Sequence, residues 1–117
     1  MQNFKTLLNE TKIFYKSLKP IPCPALNGEL VHFTRSGFIH LRRKGTRLRP
    51  HKDQLRRLLL FKYAVSVIKN SQVVNEYREI NDTKFYGLIH CIDSMKIKVV
   101  LRKNERGSLH FFSIINI

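Results

Sequence analysis

The sequence predicts an α+β protein in which N-terminal helices pack on one face of a four-stranded antiparallel sheet. Two observations carry this. Up to about Asn70 the apolar residues recur at helical spacing, and after Ser71 they alternate with a period of two. The four alternating runs are joined only by short turns: Asn81-Asp-Thr83, Asp93-Ser94 and Asn104-Glu-Arg-Gly107. Connections this short join antiparallel neighbours, because a parallel pair needs a crossover of about a dozen residues or more. The meander is therefore expected over residues 72–115 and the helices over 1–70. A chain of 117 residues with 43% hydrophobic residues, eight of them Phe, has material for one core, so residues 1–117 read as a single domain.

In chain order, Asn3 to Leu18 reads as a first helix, with Phe4, Leu7, Leu8, Ile13 and Phe14 as its apolar stripe and Pro20 as its stop. Pro20-Ile-Pro-Cys-Pro24 is extended, since proline drives the residue before it out of the helical region. Leu30 to Phe33 is a short apolar segment, and Thr34-Arg-Ser-Gly37 supplies capping residues for a second helix over 36–44. That helix would group His40, Arg43 and Lys44 on one side, with Arg47 extending the stripe if the helix survives Gly45. A third helix over 52–70 becomes mostly apolar in its second half.

The strands are expected at Val73 to Ile80, Lys84 to Ile92, Lys96 to Lys103 and Ser108 to Ile115. Alternation assigns Ile97, Val99 and Leu101 to the helix side and Lys96, Lys98 and Arg102 to the open side. In the neighbouring runs it sets Phe85, Ile89 and Cys91 against Tyr86 and His90, and Leu109 and Phe111 against His110 and Phe112. The first strand opposes Glu76 and Arg78 to Tyr77 and Glu79 and does not sort cleanly. The open face mixes cations with aromatics.

Charge dominates the choice of partner. The formal net charge is +14, from 22 Lys and Arg against 8 Asp and Glu. Such a field draws polyanions, nucleic acid first. An anionic membrane is disfavoured, because the charge is spread over strands rather than gathered on one amphipathic helix. Between Arg35 and Lys62 ten cations face the single acid Asp53, a local charge of +9. A solvated helix face is the bland explanation of such a run; neutralisation by a phosphate backbone is the preferred one. Neither a secretory leader nor an apolar stretch of about 18 residues is visible, so a cytoplasmic location is expected.

Several chemistries lack their residues. Two cysteines, Cys23 and Cys91, read as free thiols and cannot make a four-ligand zinc site. The acids are scattered; Glu76 and Glu79 are close, but on one strand they point to opposite faces, so a carboxylate-held metal nuclease is disfavoured. Phosphate-cradling glycine loops and a nucleophile elbow are absent, and no organic cofactor is implied. RNA offers a metal-free route, since its own 2'-hydroxyl can attack the phosphate when a base takes its proton and cations stabilise the charge. His40, among cations, is the candidate proton carrier, a structural histidine being the alternative.

Three segments in order, Ile21-Pro-Cys-Pro24 with Val31-His-Phe-Thr-Arg-Ser-Gly-Phe-Ile-His-Leu41, Lys98-Val-Val-Leu-Arg-Lys103 and Gly107-Ser-Leu-His-Phe-Phe-Ser113, resemble the phage-associated branch of the barnase/EndoU/colicin/RelE-like ribonuclease superfamily. The resemblance covers roughly residues 20–115. It implies the same α+β fold and metal-independent RNA cleavage to a 2',3'-cyclic phosphate, in a toxin or a phage or mobile-element conflict nuclease. It implies catalysis by His40, with Arg78, Arg102 and Ser113 completing the site. Plain alternation puts Ser113 on the buried face with Leu109 and Phe111, so its role requires a bulge. Arg43, Lys44, Arg47 and Lys98 are expected to hold RNA phosphates, with Phe112 and Tyr86 stacking on bases. The alternatives are a non-catalytic nucleic-acid-binding module and a protein that meets an acidic partner, such as an antitoxin or immunity protein.

Overall fold

A computed structural model describes residues 3–117: helices pack on one face of a sheet whose other face is open. Helix α1 (Phe4–Ser17) is capped by Asn3, whose Oδ1 accepts the Thr6 N–H at 2.8 Å. Its buried stripe is Leu7, Thr11 and Tyr15, spaced i, i+4, i+8. Ile13, expected in that stripe, is 71% exposed. The helix is rotated so that Tyr15 faces inward, where its hydroxyl donates to the Thr34 carbonyl at 2.5 Å. The proline segment is more than a connector: β1 (Ile21–Cys23) pairs with β2 (Glu29–Val31), the turn closing through a 3₁₀ turn at Pro24–Leu26 and left-handed Asn27 and Gly28.

Helix α2 (Arg35–Arg42) is shorter than expected. Arg43 and Lys44 leave it as β3 (Arg43–Lys44), which folds back on β4 (Arg47–Leu48) about Gly45 at φ +64°. The expected helical stripe of His40, Arg43, Lys44 and Arg47 is thereby broken. The single helix expected over 52–70 is also divided, into α3 (His51–Leu60), a 3₁₀ turn at Phe61–Tyr63 and α4 (Ala64–Asn70). At the break Phe61 is fully buried, with ring centroids 5.1 Å from both Tyr15 and Phe111.

The sheet is the expected meander, in the order β5-β6-β7-β8, with β5 (Glu76–Ile80), β6 (Thr83–Ile92), β7 (Met95–Asn104) and β8 (Leu109–Asn116). Ile97, Val99, Leu101, Leu109 and Phe111 are buried under the helices as expected. The first strand starts at Glu76 instead of Val73; just before it Asn75 is tied to β6, its Oδ1 accepting the Ile89 N–H at 2.8 Å and its N–H donating to the Gly87 carbonyl.

Strand β6 is inverted relative to the expectation. Tyr86, Leu88 and His90 pair with Leu101, Val99 and Ile97 and so share the helix side. Phe85, Ile89 and Cys91 pair with Arg102, Lys98 and Lys96 on the open side, where Cys91 is exposed. This strand carries apolar residues on both faces, and the buried anchor that decides its register is Leu88, fully buried.

The outer edge of β8 is partly occupied by the segment after β2. His32 donates to Leu109 and its carbonyl accepts from Phe111, both at 2.9 Å. This pairing delivers α2 directly onto β8. Gly37 permits the approach: a Cβ there would lie 2.6 Å from the Phe111 carbonyl oxygen and also against the Tyr15 hydroxyl.

Candidate functional site

On the open face lies a groove of about 820 Å³. The pleat explains most of its lining. Open-side positions bring Glu76 and Arg78 from β5, Phe85 and Gly87 from β6, and Lys98 and Val100 from β7. Gly87 matters because its missing side chain leaves room for Glu76, whose Cβ would be 3.1 Å from a Cβ at position 87. Glu76 Oε1 pairs with Lys98 Nζ at 3.0 Å.

The far wall depends on a β-bulge. Leu101 pairs with Phe111, but Val100 pairs with Ser113, so Phe112 is an extra residue in β8. Phe112 and Ser113 therefore both face the groove, and Ile114 returns to the core. Ser113, which plain alternation buries among Leu109 and Phe111, is moved to the open side by this one residue.

Ser113 meets Arg57 there. Helix α3 wraps the β8 edge so that Arg57 Nη1 donates to Ser113 Oγ at 3.0 Å and to the Ile114 carbonyl at 3.2 Å. Arg57 is 8% exposed yet still lines the groove. Asp53, one turn earlier, accepts from Arg57 Nε at 3.2 Å and from Arg49 Nη1 at 3.3 Å. Burial alone would raise the Asp53 carboxyl, but Arg57 and Arg49 outweigh it and hold it below its usual range. The guanidinium of Arg57 is itself shifted down, chiefly by burial and then by the charge of Arg49. One carboxylate thus serves two buried guanidiniums, and the cluster keeps a positive charge.

His40 joins this cluster from α2. Its ring stacks on Phe112 with centroids 4.2 Å apart and 25° between planes. Arg49 grips it twice: Nε donates to the His40 carbonyl at 3.0 Å, and Nη2 lies 3.1 Å from His40 Nε2. A guanidinium has only donors, so Nε2 is the acceptor and the ring is neutral with its proton on Nδ1. Burial, then the charges of Arg49, Arg57, Arg102 and Lys44, lower the His40 pKa to about 4. Gln54, buried, ties the assembly together by donating to the Arg49 carbonyl at 2.8 Å and accepting from Arg42 Nε at 3.2 Å.

The sequence-derived candidates fall into three places. Arg78, Ser113, Lys98, Lys44 and Phe112 line the groove. His40 and Arg102 are not among the lining residues but contact Phe112, the Arg102 guanidinium carbon 4.8 Å from its ring centre. Arg102 also donates to His110 Nε2 at 3.0 Å. Arg43 points away, into a second cleft beyond α2, and Arg47 stands exposed on the hairpin. Tyr86, expected to stack on bases, lies on the helix side of the sheet, and Phe85 occupies the open-face position instead, 5.4 Å from Phe112. Arg49, Asp53, Gln54, Arg57, Glu76 and Phe85 were not among the site candidates drawn from the sequence. The Arg49, Asp53, Arg57 series was legible, since an acid with arginines four residues before and after it makes a pair of one-turn ion pairs on any helix.

Among the described residues no three His, Cys, Asp or Glu side chains are grouped so as to hold a metal ion. No helix is long and apolar enough to cross a membrane. Comparison of the chain with protein-family models, curated proteins and solved structures gives no match.

Proposed function

We propose that the chain binds RNA across the open sheet face and cleaves it without a metal, as expected of the barnase/EndoU/colicin/RelE-like ribonucleases it resembles. The observation that carries this reading is the convergence at the bulge: Ser113, a buried but groove-lining Arg57 and Phe112 meet in one cationic groove, with His40 stacked on Phe112 beside it. A buried ion pair is a weak stabilising device and is often bettered by apolar residues. Two arginines and one aspartate under a groove are better explained by a ligand of negative charge.

In the proposed reaction the scissile phosphate sits between Arg57, Lys98 and Lys44, which stabilise charge as it builds on the phosphorus oxygens. The 2'-oxygen loses its proton to a base and bonds to phosphorus as the P–O5' bond breaks; the leaving oxygen takes a proton from solvent water, and the base's proton passes to the hydroxide left behind. The products are a 2',3'-cyclic phosphate and a 5'-hydroxyl. His40 becomes the base when the phosphate draws Arg49 away from Nε2, and the same anion opposes the cations that depress its proton affinity. Glu76, already in the groove, is the other group able to accept the proton. Phe85 and Phe112 offer rings for base stacking, and Arg78 and Arg102 add to the positive field.

A second reading, a binding module without chemistry, is favoured by one feature: Arg49 occupies the only basic nitrogen of His40. Incubation of the purified chain with total RNA in excess EDTA separates the two. Fragments with cyclic phosphate ends support cleavage, and their loss by about 10² to 10⁴ in His40→Ala or Glu76→Gln identifies the base. Intact RNA retained in a salt-sensitive complex supports the module. No binding at all removes both. An acidic antitoxin or immunity protein would compete for the same cationic face.

A further inference from the structure

Helix α2 divides its residues among three directions. Gly37 and Leu41 face the core, and Ser36 and His40 face the β8 side. Arg35, Phe38, Ile39 and Arg42, spaced i, i+3, i+4, i+7, face a separate cleft of about 630 Å³ against α1. That cleft is a different surface from the sheet groove. Five cations line it, Lys12 and Lys16 from α1 and Arg35, Arg42 and Arg43 from α2 and the hairpin. Among the described residues it has no acidic lining residue. Its aromatic lining is Tyr15, Phe33 and Phe38.

The two surfaces meet at the hairpin. Arg43 lines the α1–α2 cleft and Lys44 lines the sheet groove. These are adjacent residues of one strand, whose side chains point opposite ways and whose Cα atoms are about 3.8 Å apart. A strand of polyanion leaving the groove past Lys44 therefore meets Arg43 within one residue's reach and has the four other cations of the cleft ahead of it. A double helix is too broad to turn around an eight-residue helix in this way, so the track suits a flexible single strand.

We propose that the α1–α2 cleft is a second, sequence-independent site for the single-stranded extension of the RNA held in the sheet groove. It contacts phosphates through Lys12, Lys16, Arg35 and Arg43, with the Phe38 ring available to a base. The cleft lengthens the footprint and contributes affinity, and the reacting phosphate stays in the groove. This rests on the RNA reading above.

The test uses 2'-O-methyl oligonucleotides, which bind but cannot be cleaved, of about 4 and about 12 nucleotides, the range covered by one small single-strand-binding fold. Affinities are measured by fluorescence anisotropy across a salt series for the wild type and for Lys12→Ala/Lys16→Ala/Arg35→Ala, all exposed positions. The long oligonucleotide is expected to bind the variant more weakly, its log–log salt slope reduced by about 2, since each single-strand phosphate contact contributes about 0.7. The short one is expected to bind both proteins alike. Equal weakening at both lengths, or none at either, overturns the second site. If the wild type binds the short oligonucleotide but gains nothing with length, the cleft proposal fails and the groove reading stands. If it binds neither, the RNA reading itself fails. Loss of poly-glutamate binding in the variant with the long oligonucleotide unaffected would assign the cleft to an acidic protein and overturn the proposal.

Discussion

Replacing Gly37 by alanine should destabilise the protein, although the same change in an unobstructed helix gains about 1 kcal/mol. At Gly37 a methyl carbon would sit 2.6 Å from the Phe111 carbonyl oxygen and 3.0 Å from Phe111 Cδ2, with the Tyr15 hydroxyl also in its way. Two of these obstacles are a strand backbone and a fully buried ring, neither of which can swing aside. Helix α2 must lift off β8 instead. Overpacking of this kind costs about 1 to 3 kcal/mol, which for a domain of this size lowers Tm by roughly 5 to 15 °C. Thermal unfolding followed by circular dichroism measures the fall. The displacement should also separate His40 from Phe112, visible as a change in the His40 ring resonances and a rise of its pKa from about 4 toward the ordinary 6.5. A Gly37→Ala protein as stable as the wild type would refute the close seating of α2 on β8.

Three further outcomes check the sheet and the site. Val99→Lys should fail to fold, because an unpaired charge in the core costs several kcal/mol, while Lys98→Ala, on the groove side, should keep a cooperative transition; equal stability of the two would mean the β7 register is wrong. A thiol reagent should modify Cys91 rapidly in the native protein and Cys23 only on unfolding, whereas protection of Cys91 would restore the opposite facing of β6. The lowered His40 pKa means that the unfolded chain takes up this proton first on acidification, so the His40 contribution to stability is complete above about pH 6.5 and is lost as pH falls toward about 4. His40→Gln, which keeps an acceptor for Arg49 but cannot titrate in this range, should flatten that part of the stability curve; an unchanged curve would place the titration elsewhere.

Most of the fold was legible because it rests on period and turn length. The four strands, their order and the burial of Ile97, Val99, Leu101, Leu109 and Phe111 follow from alternation and short connections. Alternation failed where both faces are apolar. In β6 the sequence Phe85, Tyr86, Gly87, Leu88, Ile89 offers an apolar side chain to either face, and only pairing with β7 decides which is buried. Helix ends were misplaced for a related reason. Arg42, Arg43 and Lys44 are all acceptable in a helix, and it is the left-handed Gly45, with the hairpin it permits, that pulls Arg43 and Lys44 into a strand. Likewise nothing local to Phe61 demands a break; its burial against Tyr15 and Phe111 does.

The site was legible in its charge and less so in its geometry, and the difference lies in one inserted residue. Density of Lys and Arg pointed to Arg35 through Lys62, yet within that run it could not tell the exposed Arg47 from the buried Arg49 and Arg57. Burial is decided by what faces each residue. Arg57 is buried because Ser113 and the Ile114 carbonyl are turned toward it, and Ser113 is turned because Phe112 is extra. Without the bulge, Ser113 would follow Phe111 into the core and Ile114 would leave it, exposing an isoleucine and burying a hydroxyl. The side-chain preferences of Ile114 and Ser113 therefore select the bulge, and the bulge in turn sets the Arg57 contact and leaves Phe112 facing His40 and the groove. Two neighbouring residues of opposite polarity, each on the face that alternation forbids, were the available signal for this corner of the molecule.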